Sequence, residues 1–130
     1  MDLRKGQKFS FVRHFVAEDV EAFSKVSGDR GIHHMEPDES GKVMLQGLLT
    51  ATLPTKLGGD LNYIARTMNF EFLRPVFAGD TVTAEAVIED VSHAEKGARV
   101  KIRYVCRNQD GKEVLVGTTD GIVRVPPPSK

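Results

Sequence analysis

The chain has 130 residues, enough for one domain with a real core and too few for two. Its 18 basic residues balance 18 acidic ones at a pI near 6.9, which removes the global field that a nucleic-acid or anionic-membrane surface would use. No run approaches the roughly 18 apolar residues of a membrane span and the first residues lack a signal-peptide core, so a cytoplasmic protein with no nucleic-acid or membrane partner is expected.

Gln7 to Phe15 alternates, with Phe9, Phe11 and Phe15 on one parity and Lys8, Ser10 and His14 on the other, which predicts a half-buried strand. From Ala17 to Val26 the period becomes helical: Val16, Val20 and Phe23 share a face, and Glu18, Asp19 and Glu21 lie near the start, where acidic residues favour a helix. Gly28 stops that helix and delivers Asp29 onto a polar surface loop that runs to about Val43. Met44 to Gly59 is apolar enough for a buried core helix, but Pro54 deletes one backbone hydrogen bond and is expected to kink it or end its regular geometry early. Tyr63–Leu73, Thr81–Val91, Ala98–Arg107 and Glu113–Val125 read as strands, joined by turns at 74–80, 92–97 and Asn108-Gln109-Asp110-Gly111. Cys106 alternates with Val100, Ile102 and Tyr104, which makes it a buried strand residue rather than a nucleophile, and a lone cysteine forms no internal disulfide. His14 and His93 are expected at the surface.

Together these elements predict a single α+β domain over residues 1–130, a curved antiparallel five-stranded sheet wrapped around a central helix, with residues 126–130 an extended Pro-rich tail. That arrangement is the hot-dog fold. Asp29 and His34 lie five residues apart between the helix stop and the central helix, so a carboxylate and an imidazole can converge on one pocket as an acid/base pair. Side chains at His33, Glu36 and Asp38 diverge along an extended loop, and no second ligand cluster follows, so no metal is expected.

The passage Ser27-Gly28-Asp29-Arg30-Gly31-Ile32-His33-His34 resembles the Asp-x-Asn-Pro-x-His loop of the MaoC-like hot-dog hydratases and dehydratases, including (R)-specific enoyl-CoA hydratases. The similarity extends to Phe72-Leu73-Arg74-Pro75-Val76, to Gly79-Asp80-Thr81-Val82-Thr83, and to the Asn108–Gly111 turn followed by Val116-Gly117. Gly31-Ile32 stands where the family has Asn-Pro, and Gln46-Gly47 where many members have His-Gly, so the loop is expected to be supported differently.

The resemblance implies interconversion of a trans-2-enoyl thioester and an (R)-3-hydroxyacyl thioester. Coenzyme A is the expected carrier, acyl carrier protein an alternative, and no cofactor is needed. Asp29 would be the principal base, His34 the acid or water-orienting partner, and backbone N–H groups near Gly47 the site for the thioester oxyanion. Thr55 matches a family position often held by Ser that touches the catalytic Asp, although a Thr there can equally bond its own helix. Lys56, Arg66, Arg74 and Arg99 are candidates for coenzyme A phosphates, and Leu48, Leu49, Leu53, Phe70 and Phe72 either line an acyl tunnel or form ordinary core. Hot-dog proteins pair their sheets edge to edge, so a homodimer or dimer of dimers is expected. A hot-dog thioesterase and a non-catalytic acyl-CoA binder are the competing readings.

Overall fold

The computed structural model describes residues 2–124; the tail expected at residues 126–130 lies outside the described residues. The chain runs β1 (Lys8–His14), α1 (Ala17–Ser27), α2 (Ile32–Met35), α3 (Gly47–Thr50), α4 (Thr52–Asp60), β2 (Tyr63–Phe72), β3 (Thr81–Ala94), β4 (Gly97–Arg107) and β5 (Glu113–Arg124). The five strands form one antiparallel sheet in the order β1-β3-β4-β5-β2. The two strands flanking the helical segment in sequence therefore occupy opposite edges, and the helices cross the face between them.

The alternation seen in the sequence sets which face is apolar. Val82, Ala84, Ala86 and Ile88 of β3 and Val100, Ile102, Tyr104 and Cys106 of β4 all point inward and are fully buried. Their register places small Ala86 opposite Tyr104 and Ala84 opposite Cys106, which leaves room on the inner face for the tyrosine ring. Against this face lie Leu49, Leu53 and Leu57, spaced four apart along α3 and α4 and followed by buried Leu61. Because α4 touches both edge strands, β1 and β2, the sheet must curl around it, giving the hot-dog arrangement.

The predicted helix over Met44–Gly59 is corrected at its start and its middle. Met44 is extended and forms an isolated bridge with Phe77, so regular helix begins only at Gly47. It breaks at Ala51 between α3 and α4. Pro54 explains the break: it has no N–H to offer the carbonyl of Thr50 four residues back, and its ring crowds that carbonyl. Two smaller corrections follow the same logic of pairing. The loop after Asp29 contains the helical turn α2, and β3 continues to Ala94 because His93 and Ala94 still pair with Ala98 and Gly97.

Strand β2 carries a register shift at Arg66, between the Ala65–Gly121 and Thr67–Asp120 pairs. Before it, Tyr63 and Ala65 face the central helix; after it, Met68, Phe70 and Phe72 do. Phe70 packs edge-on against Tyr104 with ring centroids 6.1 Å apart.

Candidate active site

The site begins with how α1 ends. Gly28 adopts the left-handed conformation at φ +76° and its N–H bonds Ser24 O at 2.9 Å, a helix stop that only glycine makes without strain. Ser27 then links helix to loop: its hydroxyl donates to Phe23 O at 2.7 Å and accepts the Asp29 N–H at 3.0 Å. Asp29 Oδ1 accepts the Gly31 N–H at 3.2 Å, so one carboxylate oxygen holds the loop and the other, Oδ2, is left for chemistry.

The missing Asn-Pro is replaced by this turn. Gly31 O accepts the N–H groups of His34 at 2.8 Å and Met35 at 3.2 Å, starting α2 and swinging the His34 ring inward. His34 is 6% exposed and Asp29 48%, and His34 Nε2 lies 3.5 Å from Asp29 Oδ2. The other ring nitrogen, Nδ1, lies 2.7 Å from Met44 O. A carbonyl can only accept, so Nδ1 carries hydrogen and Nε2 is the nitrogen free to exchange a proton beside the carboxylate.

Gly47 opens α3 on the same side. Leu49 and Thr50 N–H groups both bond Gln46 O, at 3.0 and 3.3 Å, which leaves the Gly47 amide at the helix start without an intrahelical partner. A Cβ at Gly47 would meet the Phe72 ring at 3.1 Å, so glycine lets β2 close over the helix start. Gly47 and His34 line one cleft of about 400 Å³ together with His33, Met44, Thr50, Phe72, Arg74 and Val114. An imidazole of fixed tautomer and the Gly47 helix start thus border a partly apolar cleft, with the Asp29 carboxylate 3.5 Å from that imidazole, groups able to add or remove water beside a carbonyl.

Not every expected residue joins them. Thr55 donates to Ala51 O at 3.0 Å, bonding its own helix, and lines a separate cavity of about 270 Å³ with Pro54, Gly58, Tyr63 and Phe70. Of the four cations, only Arg74 borders the cleft, held by an Nη1–H bond to Glu113 O at 2.7 Å. Arg99 grips Asp120 through two bonds at 3.1 and 3.2 Å, and Lys56 pairs with Asp60 and sits over the Phe11 ring. Among the apolar set, Leu49 and Leu53 are core, Leu48 is 65% exposed, and Phe72 is the one that walls the cleft. The carbonyl of Met44 and the ring of His33 were not anticipated: a backbone acceptor leaves no side-chain signal, and His33 reaches the cleft only because α2 is helical.

The model of the FAS1-like dehydratase domain region matches residues 35–116, beginning just after His34. The (R)-specific enoyl-CoA hydratase of Aeromonas caviae is 28% identical over 135 residues, covering 95% of this chain and 96% of that protein. The solved structure of the A. caviae (R)-hydratase superposes with a TM-score of 0.81 over 95% of this chain and 98% of its own. Unliganded R-hydratase PhaJ1 from Pseudomonas aeruginosa gives 0.81 at 24% identity, covering 98% and 93%. The MaoC-like dehydratase from Rhodospirillum rubrum gives 0.77 at 19%, covering 96% and 95%, likeness of fold in both these cases. With the fold, the cleft and the match over residues 35–116 in agreement, the chain belongs to the FAS1-like dehydratase domain family, with MaoC-like R-hydratases as its structural neighbours.

Proposed function

We propose that the protein interconverts trans-2-enoyl-CoA and (R)-3-hydroxyacyl-CoA. The observation that carries this is the 3.5 Å approach of Asp29 Oδ2 to His34 Nε2, with Nδ1 committed to Met44 O, beside the Gly47 amide. In hydration, Asp29 takes a proton from water as its oxygen bonds C3 of the enoyl group. The thioester oxygen gathers negative charge and is met by the Gly47 N–H, and protonated His34 delivers its Nε2 proton to C2. A proton passing from Asp29 to His34 restores the starting pair, and dehydration runs the same steps backwards. The (R) configuration is supported by the A. caviae relative's name.

Loss of enoyl absorbance from crotonyl-CoA tests this against a thioesterase, which would instead release free thiol from acyl-CoA. The protein's own thiol does not compete in that assay, because burial pushes Cys106 up to about 12 and leaves it 0% exposed. Comparing crotonyl-CoA with crotonyl-acyl carrier protein decides the carrier. Arg74 is the cation we place on the coenzyme A phosphates. Arg74→Ala is expected to raise KM for crotonyl-CoA by roughly tenfold, a loss of about 1.4 kcal/mol, and to leave KM for a short crotonyl thioester without phosphates unchanged. Equal shifts for both substrates would remove Arg74 from phosphate binding.

The second half of the reading is a homodimer. Edge strand β2 exposes Ile64, Met68 and Phe72 at 46%, 57% and 51%, with Leu48 at 65% on the adjacent helix start, and among the described residues no strand lies beside its outer backbone edge. Sedimentation equilibrium at micromolar concentration is expected to give twice the mass of the 14.3 kDa chain, and a monomer there would refute the pairing.

A further inference from the structure

The Asp29 loop hangs from α1, and a single buried amide ties α1 to the start of α3. Gln46 is 1% exposed, and its Nε2 donates to Ser24 Oγ at 3.0 Å and Val20 O at 3.3 Å. Ser24 spends its own hydrogen on Val20 O at 2.9 Å, so its oxygen can only accept from Gln46. The amide nitrogen is therefore the atom that faces α1. Oε1 is then buried without a hydrogen-bond partner among the described residues. A buried amide that leaves its acceptor unspent is a poor stabiliser, and an unbranched apolar side chain would fill the same volume with no orphaned oxygen. Its donor half, by contrast, joins the two elements that carry the site.

On the α1 side, Ser24 O receives the Gly28 N–H, and Ser27 Oγ receives the Asp29 N–H, so Gln46 is tied to the residue whose carbonyl caps α1 one position before Asp29. On the α3 side, Gln46 O anchors Leu49 and Thr50, Gly47 follows directly, and Met44 two residues earlier holds His34. We infer that Gln46 is a positioning residue: its Nε2–H bonds to α1 set the approach of Asp29 Oδ2 to His34 Nε2 and the alignment of that pair with the Gly47 amide. The inference rests on the hydratase reading of the site.

The test is Gln46→Met, which keeps the length and volume of the side chain and removes the donor. The expected result is a melting temperature within a few degrees of the parent and kcat for crotonyl-CoA lowered roughly 10- to 100-fold, with KM within about threefold, the pattern of misplaced catalytic groups. Amide hydrogen exchange at residues 28–31 is expected to rise at least about tenfold while β3 and β4 keep their protection. Ser24→Ala removes the acceptor from the other side; it too should lower kcat, and the double variant should be no slower than Gln46→Met, because both break one link. Parental kcat and parental exchange at 28–31 in Gln46→Met overturn the inference. If Gln46→Met does not fold, parental kcat in Ser24→Ala overturns it. If the parent turns over no enoyl thioester, the hydratase reading falls, and exchange at 28–31 still decides whether Gln46 holds the loop.

Discussion

Asp29→Ala and His34→Ala are each expected to lower hydration of crotonyl-CoA at least about 100-fold, the range lost when a positioned acid or base is removed. Asp29→Asn sharpens the result, since its amide oxygen can still accept the Gly31 N–H that holds the loop while no longer accepting a proton from water. His34→Ala also strands the Met44 carbonyl, so its folding should be checked by circular dichroism. Because the two groups pass one proton between them, the double variant should be little slower than the slower single one. Parental rates in Asp29→Ala and His34→Ala together would end the acid/base assignment.

The largest effect on stability is expected at Leu53, which is 0% exposed between the central helix and the sheet. Leu53→Ala should cost about 2–5 kcal/mol, the range for emptying a buried leucine site. For 130 residues that is a fall in melting temperature of roughly 7–18 °C by calorimetry. Leu48→Ala, five residues earlier and 65% exposed, should stay within about 0.5 kcal/mol in the isolated chain. A concentration-dependent loss at Leu48 would identify it as part of the contact between copies. Equal losses at the two sites would contradict the placement of Leu53 in the core.

The sheet was legible because its signal is local. Val82, Ala84, Ala86 and Ile88 announce a buried face by alternation alone, and Gly28 marks the end of α1 through a conformation that side chains resist. The central helix was legible in kind but not in extent. Met44 and Leu45 are apolar enough for a helix, yet Met44 pairs with Phe77 and Leu45 N–H bonds Val76 O, partners some thirty residues away that no helical period encodes. The pair of Asp29 and His34 was legible as types and spacing. What the sequence could not carry was the ring's orientation, which depends on the Met44 carbonyl, nor the separation of Thr55, whose hydroxyl had two acceptors open to it until α4 fixed one.

The shift at Arg66 has a consequence for which lengths of β2 are tolerated. Ala65 and Thr67 already pair with successive residues of β5, Gly121 and Asp120, so deleting Arg66 would restore regular pairing while Thr67 to Phe72 keep their partners and their faces. Phe70 and Phe72 would stay against the helix, opposite Gly117 and Leu115, and the wall beside Gly47 would be kept. Polar or apolar substitution at Arg66 itself leaves that wall untouched, since the residue is exposed. Arg66 is thus the one position of β2 that can be lost without moving a side chain of the cleft, because no residue of β5 is paired with it.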